Sequence, residues 1–94
     1  MSFNVGDAVL LVSFLGTESP DNAVANNENY WFLIGKKGFV VQTEAQACMR
    51  RHPLGERVLV RFETDMRKLG LDCHSQIPNG LWVFVADLRG LHAS

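Results

Sequence analysis

Cys48 with His52, and Cys73 beside His74, put two thiols and two imidazoles into a short chain, on paper a Cys2His2 zinc set. Structural zinc sites usually draw their thiolates from C-x2-4-C knuckles. Here each pair mixes residue types, and adjacent Cys73 and His74 point apart in an extended chain. No third residue orients either Cys–His pair for nucleophilic attack, and no oxyanion feature accompanies it. No metal, no other cofactor and no thiol catalysis is therefore expected. Asp87, in "VADL", could act as an acid or base in isolation, but a turn-capping carboxylate after a strand accounts for it. No pair of carboxylates stands out, so an enzyme is the last of three expectations, behind two kinds of binding module.

The other candidate chemistry is basic and aromatic. In "LIGKKGFVVQ", Lys36 and Lys37 lie between Gly35 and Gly38. A phosphate-holding P-loop needs G-x-x-x-x-G-K-[ST] between a strand and a helix, so that backbone N–H groups face the phosphates. Tyr30 stands where the first glycine belongs and a strand-like run follows, so the stretch is expected to be a β-hairpin with a two-lysine tip. Lys36 and Lys37 with Arg50, Arg51 and Arg61 could still contact phosphates, as point charges and forks. Solvated turn lysines are the simpler account, and a pI of about 6.3 falls short of the strong basic excess of dedicated nucleic-acid modules. Tyr30, Trp31, Trp82 and Phe84 are the aromatics to divide between core and surface. An exposed ring beside the acidic loop could stack a base or hold an extended peptide.

The elements that must position these residues read as β throughout. "DAVLLVSF" (7–14), "NYWFLIG" (29–35) turning into "FVVQT" (39–43), "RVLVRFE" (57–63) and "LWVFVADL" (81–88) are short, rich in branched and aromatic residues, and bounded by Gly, Asn, Asp or Pro. In "RVLVRFE" the period is two: Val58, Val60 and Phe62 are expected in the core, with Leu59, Arg61 and Glu63 on the solvent side. Residues 43–52 hold one or two helical turns at most, stopped by Pro53 and Gly55. The stretch "GTESPDNAVANNEN" (16–29) is a long polar loop.

Ninety-four residues make one domain, 1–94, able to fold without staples. The apolar run 8–15 has no basic residue before it and is far short of the roughly 20 residues that span a bilayer, so no membrane association is expected. The two cysteines are expected as free thiols in a cytoplasmic protein. Charge is uneven. The first 34 residues carry Asp7, Glu18, Asp21 and Glu28 with no Lys or Arg, whereas residues 36–68 hold eight cations against four carboxylates. Either the two sets interleave and cancel, or the surface is bipolar and steers an anionic partner to one face.

"VGDAVLLV", "YWFLIGKKGFVV", "RVLVRF" and "LWVFVADL" together resemble the SH3-like small barrels of bacteria, in which G-D-x-V opens the first strand, a G-x-x-G-x-V turn follows, and an apolar strand ends in Asp-Leu. The chain around Gly35, Gly38 and Val40 also resembles the KOW element of ribosomal and transcription proteins, with longer loops at 44–56 and 63–80. The resemblance implies an all-β fold, a small barrel of about five antiparallel strands with long loops. It implies a ligand surface made of the first loop, the hairpin tips and exposed aromatics. The leading expectation is a binding module that engages a protein through the 16–29 loop with Tyr30, Trp31 and Trp82. The alternative is a KOW-like module touching nucleic acid or the ribosome through Lys36, Lys37, Arg50, Arg51 and Arg61.

Overall fold

The computed structural model of the protein describes residues 3–20, 23–73 and 77–91. Its most deeply buried strand is β3 (Arg57–Phe62), where Val58, Val60 and Phe62 are almost fully buried, as their alternation requires. Around it lie β1 (Ala8–Leu11), β2 (Lys37–Thr43), β4 (Gly80–Phe84) and β5 (Leu88–Gly90). Among the described residues these five strands form one antiparallel sheet in the order β4-β3-β2-β1-β5. One face carries the core: Val9 and Leu11, Val40, Val58, Val60, Phe62 and Val83, covered by Leu33, Met66 and Leu71 from the connections. The fold is thus all-β, and its only helical pieces among the described residues are short 3₁₀ turns.

Two segments depart from the expectations. Residues 29–35 are not a strand: Asn26–Glu28 and Tyr30–Leu33 are 3₁₀ turns. Strong β formers read as a strand, but only Tyr30 and Leu33 of the second turn are buried, and a spacing of three is what one side of a 3₁₀ turn presents. The lysine pair is consequently no hairpin tip. Gly35, at φ +85°, turns the chain alongside the end of β1, where its N–H donates to the Leu11 carbonyl, and Lys37 is already the first residue of β2. Residues 81–88 form two strands, because a 3₁₀ turn over Val85–Asp87 breaks them and passes the chain from β4 at one edge of the sheet to β5 at the other. Residues 44–48 form successive turns with Cys48 at positive φ and one helical-type bond from the Ala47 N–H to the Thr43 carbonyl, within the limit of one or two turns expected there.

The long connections are fastened to each other. Asn27 Nδ2 donates to Asp72 Oδ2 at 2.6 Å, the Asp72 N–H donates to the Asn27 carbonyl, and the Tyr30 hydroxyl donates to the Asp72 carbonyl at 2.8 Å. The connection after β3 holds a 3₁₀ turn over Met66–Leu69, capped by the Asp65 carboxylate and closed by Gly70 in the left-handed region. The buried Met66 and Leu71 make that segment a wall of the core.

Candidate interaction face

The side of the sheet opposite the core is where chemistry-bearing residues collect, and register decides which ones. Pairing sets Phe39 beside Arg61, Leu59 beside both Gln42 and Trp82, and Arg57 beside Phe84. Towards the other edge, Leu10 of β1 lies between Lys37 and Arg89. Residues directly opposite on one face of an antiparallel pair have Cβ atoms about 4.5–5.5 Å apart, so these are touching neighbours. A bulge in β2 between Val40 and Gln42 keeps Gln42 on this face and bends the strand.

Leu59 corrects the expectation from alternation. It points away from the core yet is 3 % exposed, because Trp82 and Gln42 flank it and Phe39 and Phe84 lie one step away diagonally. The outer face thus carries a small apolar cluster of its own. Phe39, Trp82 and Phe84 are half-buried there. The His52 ring meets Phe84 edge-on at 5.0 Å, and Lys37 Nζ sits 5.2 Å from the centre of the Phe39 ring.

The cations on this face are not equivalent. Lys37 lies 3.8 Å from Glu63 across two exposed side chains. Arg57 is tied down: its guanidinium donates to Glu44 at 3.2 Å and to the Arg50 carbonyl, and its backbone N–H donates to Glu44 at 2.6 Å. That backbone bond, together with the guanidinium bonds and charge of Arg57, holds the Glu44 carboxyl below its ordinary range, against burial, which pushes it up. Among the described residues no carboxylate lies within ion-pair distance of Arg61 or Arg89, and both are exposed.

The expected site residues divide into three groups. Lys37, Arg61 and Trp82 come together on the outer face. Lys36 is exposed at the junction before β2, while Arg50 and Arg51 are exposed in the connection that follows the far end of the same strand. Arg57, whose guanidinium reaches the Arg50 carbonyl, starts β3 beside the Thr43 end of β2, roughly 20 Å along that strand from Lys37, so the lysines and Arg50–Arg51 make no single patch. Tyr30 and Trp31 serve the interior of the first connection. Tyr30 is 8 % exposed, and burial, aided by nearby Glu28, Asp72 and Cys73, raises the pKa of its hydroxyl. Trp31 Nε1 donates to Thr17 Oγ1 at 3.1 Å, and its ring meets Phe14 edge-on at 4.9 Å.

Asp87 is a cap, as its position after a strand implies. Its buried carboxylate accepts from Ser13 Oγ at 2.6 Å and from the Leu15 and Gly16 N–H groups at 3.0 Å. Cys48 and Cys73 are exposed and unbridged, His74 lies outside the described residues, and no group of three metal-ligating side chains occurs among those described. No helix among the described residues is long and apolar enough to cross a membrane.

Phe39, Arg57 and Arg89 were not singled out from the sequence. The alternation in "RVLVRF" already aligns Arg57 with Arg61, but the adjacency of Phe39 to Arg61 depends on cross-strand register, which no local pattern encodes. Comparison with protein-family models, curated proteins and solved structures finds no match for this chain.

Proposed function

We propose that the protein is a non-enzymatic binding module, built as a small SH3-like barrel, that docks an anionic partner on the outer face of β2, β3 and β4. The barrel assignment is supported by the strand order β4-β3-β2-β1-β5, the long connection after β1 and the 3₁₀ turn between β4 and β5. The docking assignment is carried by one observation: three half-buried rings share a face with Arg61 and Arg89, cations without an ion pair among the described residues. Single apolar residues on a surface are ordinary, but aromatics clustered around an already buried Leu59 and rimmed by charge have the make-up of an interface core.

A second reading keeps the partner at the first connection, and rests on Leu15 (56 % exposed) and Phe32 (49 % exposed), which stand in solvent on that segment. It predicts an apolar protein contact without salt sensitivity. Amide-shift titrations with polyglutamate and with a short oligothymidylate, at low and then moderate salt, separate the two. Salt-reversible shifts at Lys37, Phe39, Arg61, Trp82 and Phe84 support the sheet face. An unperturbed sheet face with both probes contradicts it and returns the first connection to the lead.

A further inference from the structure

We infer that the anionic partner is a single-stranded nucleic acid, its bases stacked on Trp82, Phe84 and Phe39 and its phosphates held by Arg61, Arg89 and Lys37. This inference rests on the assignment of the outer sheet face as the docking surface, and adds the chemistry of what docks there.

Each component of the face matches a different part of such a ligand. Trp82 and Phe84 are two residues apart on β4, so their side chains emerge on the same side, about 6–7 Å apart along the strand. Phe39 stands two strands away, with Leu59 and Arg61 between. Rings in this arrangement offer π faces and edges to successive bases of one strand, and stacking of that kind tolerates any base. Arg61 lies among the rings, directly opposite Phe39, and its guanidinium can fork a phosphate or stack on a base. Arg89 lies across Leu10 from Lys37 and prolongs the cationic track past β1. Gln42, beside Leu59, supplies an amide able to donate to and accept from a base edge.

The alternatives of like charge fit less of the face. A duplex hides its base faces in the stack and presents phosphates, which leaves the rings without a role. An acidic peptide uses the cations but brings no π systems to Trp82 and Phe84. The near-neutral net charge of the protein, −1, fits a module that gains from stacking as well as from phosphate contact. A ligand held by Arg61 and Arg89 alone should show a log–log salt slope of about −1.4, and about −2.1 if Lys37 leaves Glu63 for a phosphate.

The chain contains an internal control, because its two tryptophans are differently placed: Trp82 on the outer face, Trp31 fastened to Thr17 and Phe14. The experiment is a titration of the intact protein with a short oligothymidylate, a duplex of the same length, inorganic polyphosphate and polyglutamate. It is read by the two indole N–H resonances and by tryptophan fluorescence. The expected result is tightest binding by oligothymidylate, with quenching, a moving Trp82 indole and a stationary Trp31 indole. Trp82→Ala should then weaken binding roughly tenfold or more, and Trp82→Phe only a few-fold. Binding of polyphosphate, duplex or polyglutamate as tight as oligothymidylate, with Arg61 shifted and the Trp82 indole still, overturns the nucleic-acid inference and leaves the docking face standing. No response of the face to any of the four overturns both.

Discussion

Asp87 holds the turn after β1 from 71 to 74 residues away, and that economy makes it the most exacting residue to change. Its carboxylate satisfies Ser13 Oγ and two backbone N–H groups, one of them on Leu15, which sits at φ +52° without being glycine. Asp87→Ala leaves those donors unpaired, and about 2–3 kcal/mol of stability should be lost in urea unfolding. Asp87→Asn, which keeps an acceptor, should lose less. Equal losses would mean that the remaining amide oxygen takes over none of the bonds, and an Asp87→Ala variant as stable as wild type would show that the bonds are dispensable. Glu44 gives the pH dependence. Its folded pKa lies below the ordinary 4.5, so its contribution to stability is fully present above about pH 4.5 and fades as pH falls through the folded value. Glu44→Gln should therefore be less stable than wild type at neutral pH, with the gap narrowing under acid. A gap that is constant between pH 7 and pH 3 would mean that ionisation of Glu44 does not matter.

At the scale of elements, Gly38 shows how a correct sequence signal can have the wrong cause attached. Gly35 and Gly38 read as the flanks of a hairpin tip, yet only Gly35 uses positive φ. Gly38 is required by the packing of β2 on β3: a Cβ there would lie 2.6 Å from Val60 Cγ1 and 2.8 Å from the Arg61 carbonyl oxygen. Gly38→Ala must push the strands apart, and should cost roughly 1–3 kcal/mol in thermal or urea unfolding. It should also perturb amide shifts along β3 around Val60 and Arg61. An unchanged spectrum and stability would mean that the strands are farther apart than the structure has them. The same distinction explains what was legible in the sequence. The alternation of Val58, Val60 and Phe62 is a local property and was readable; so was the all-β class. The 3₁₀ turn over Tyr30–Leu33 was not, because strong β formers spell a strand unless the core beneath them takes only every third residue. The break at Val85–Asp87 was hidden likewise, since a chain crossing from one sheet edge to the other leaves no mark on the apolar run that does it.

Over the whole molecule, charge and aromatic surface are sorted more than the net charge of −1 indicates. Exposed Glu18 and Glu28 lie on the first connection, while Lys37, Arg57, Arg61 and Arg89 line the outer face of the sheet. The imbalance between the first 34 residues and residues 36–68 was visible in the sequence. Its spatial form was not, because Arg50 and Arg51 sit beyond the far end of β2 from Lys36, and because Glu63 and Glu44 engage two of the cations. Among the described residues Arg61 and Arg89 remain for a partner, and Arg61, framed by Phe39, Trp82 and Leu59, is the residue on which the docking face stands or falls.

The most direct measurement is the affinity of a fluorescent oligothymidylate for wild type, Arg61→Glu and Lys36→Glu, at one low salt concentration, after each variant is shown to keep the wild-type unfolding midpoint. Both substitutions change the net charge equally, but only Arg61 belongs to the sheet face. Arg61→Glu is expected to weaken binding by about tenfold or more while Lys36→Glu stays within a factor of about three. Equal effects of the two, or a larger loss from Lys36→Glu, would contradict the sheet face and move the contact to the junction before β2.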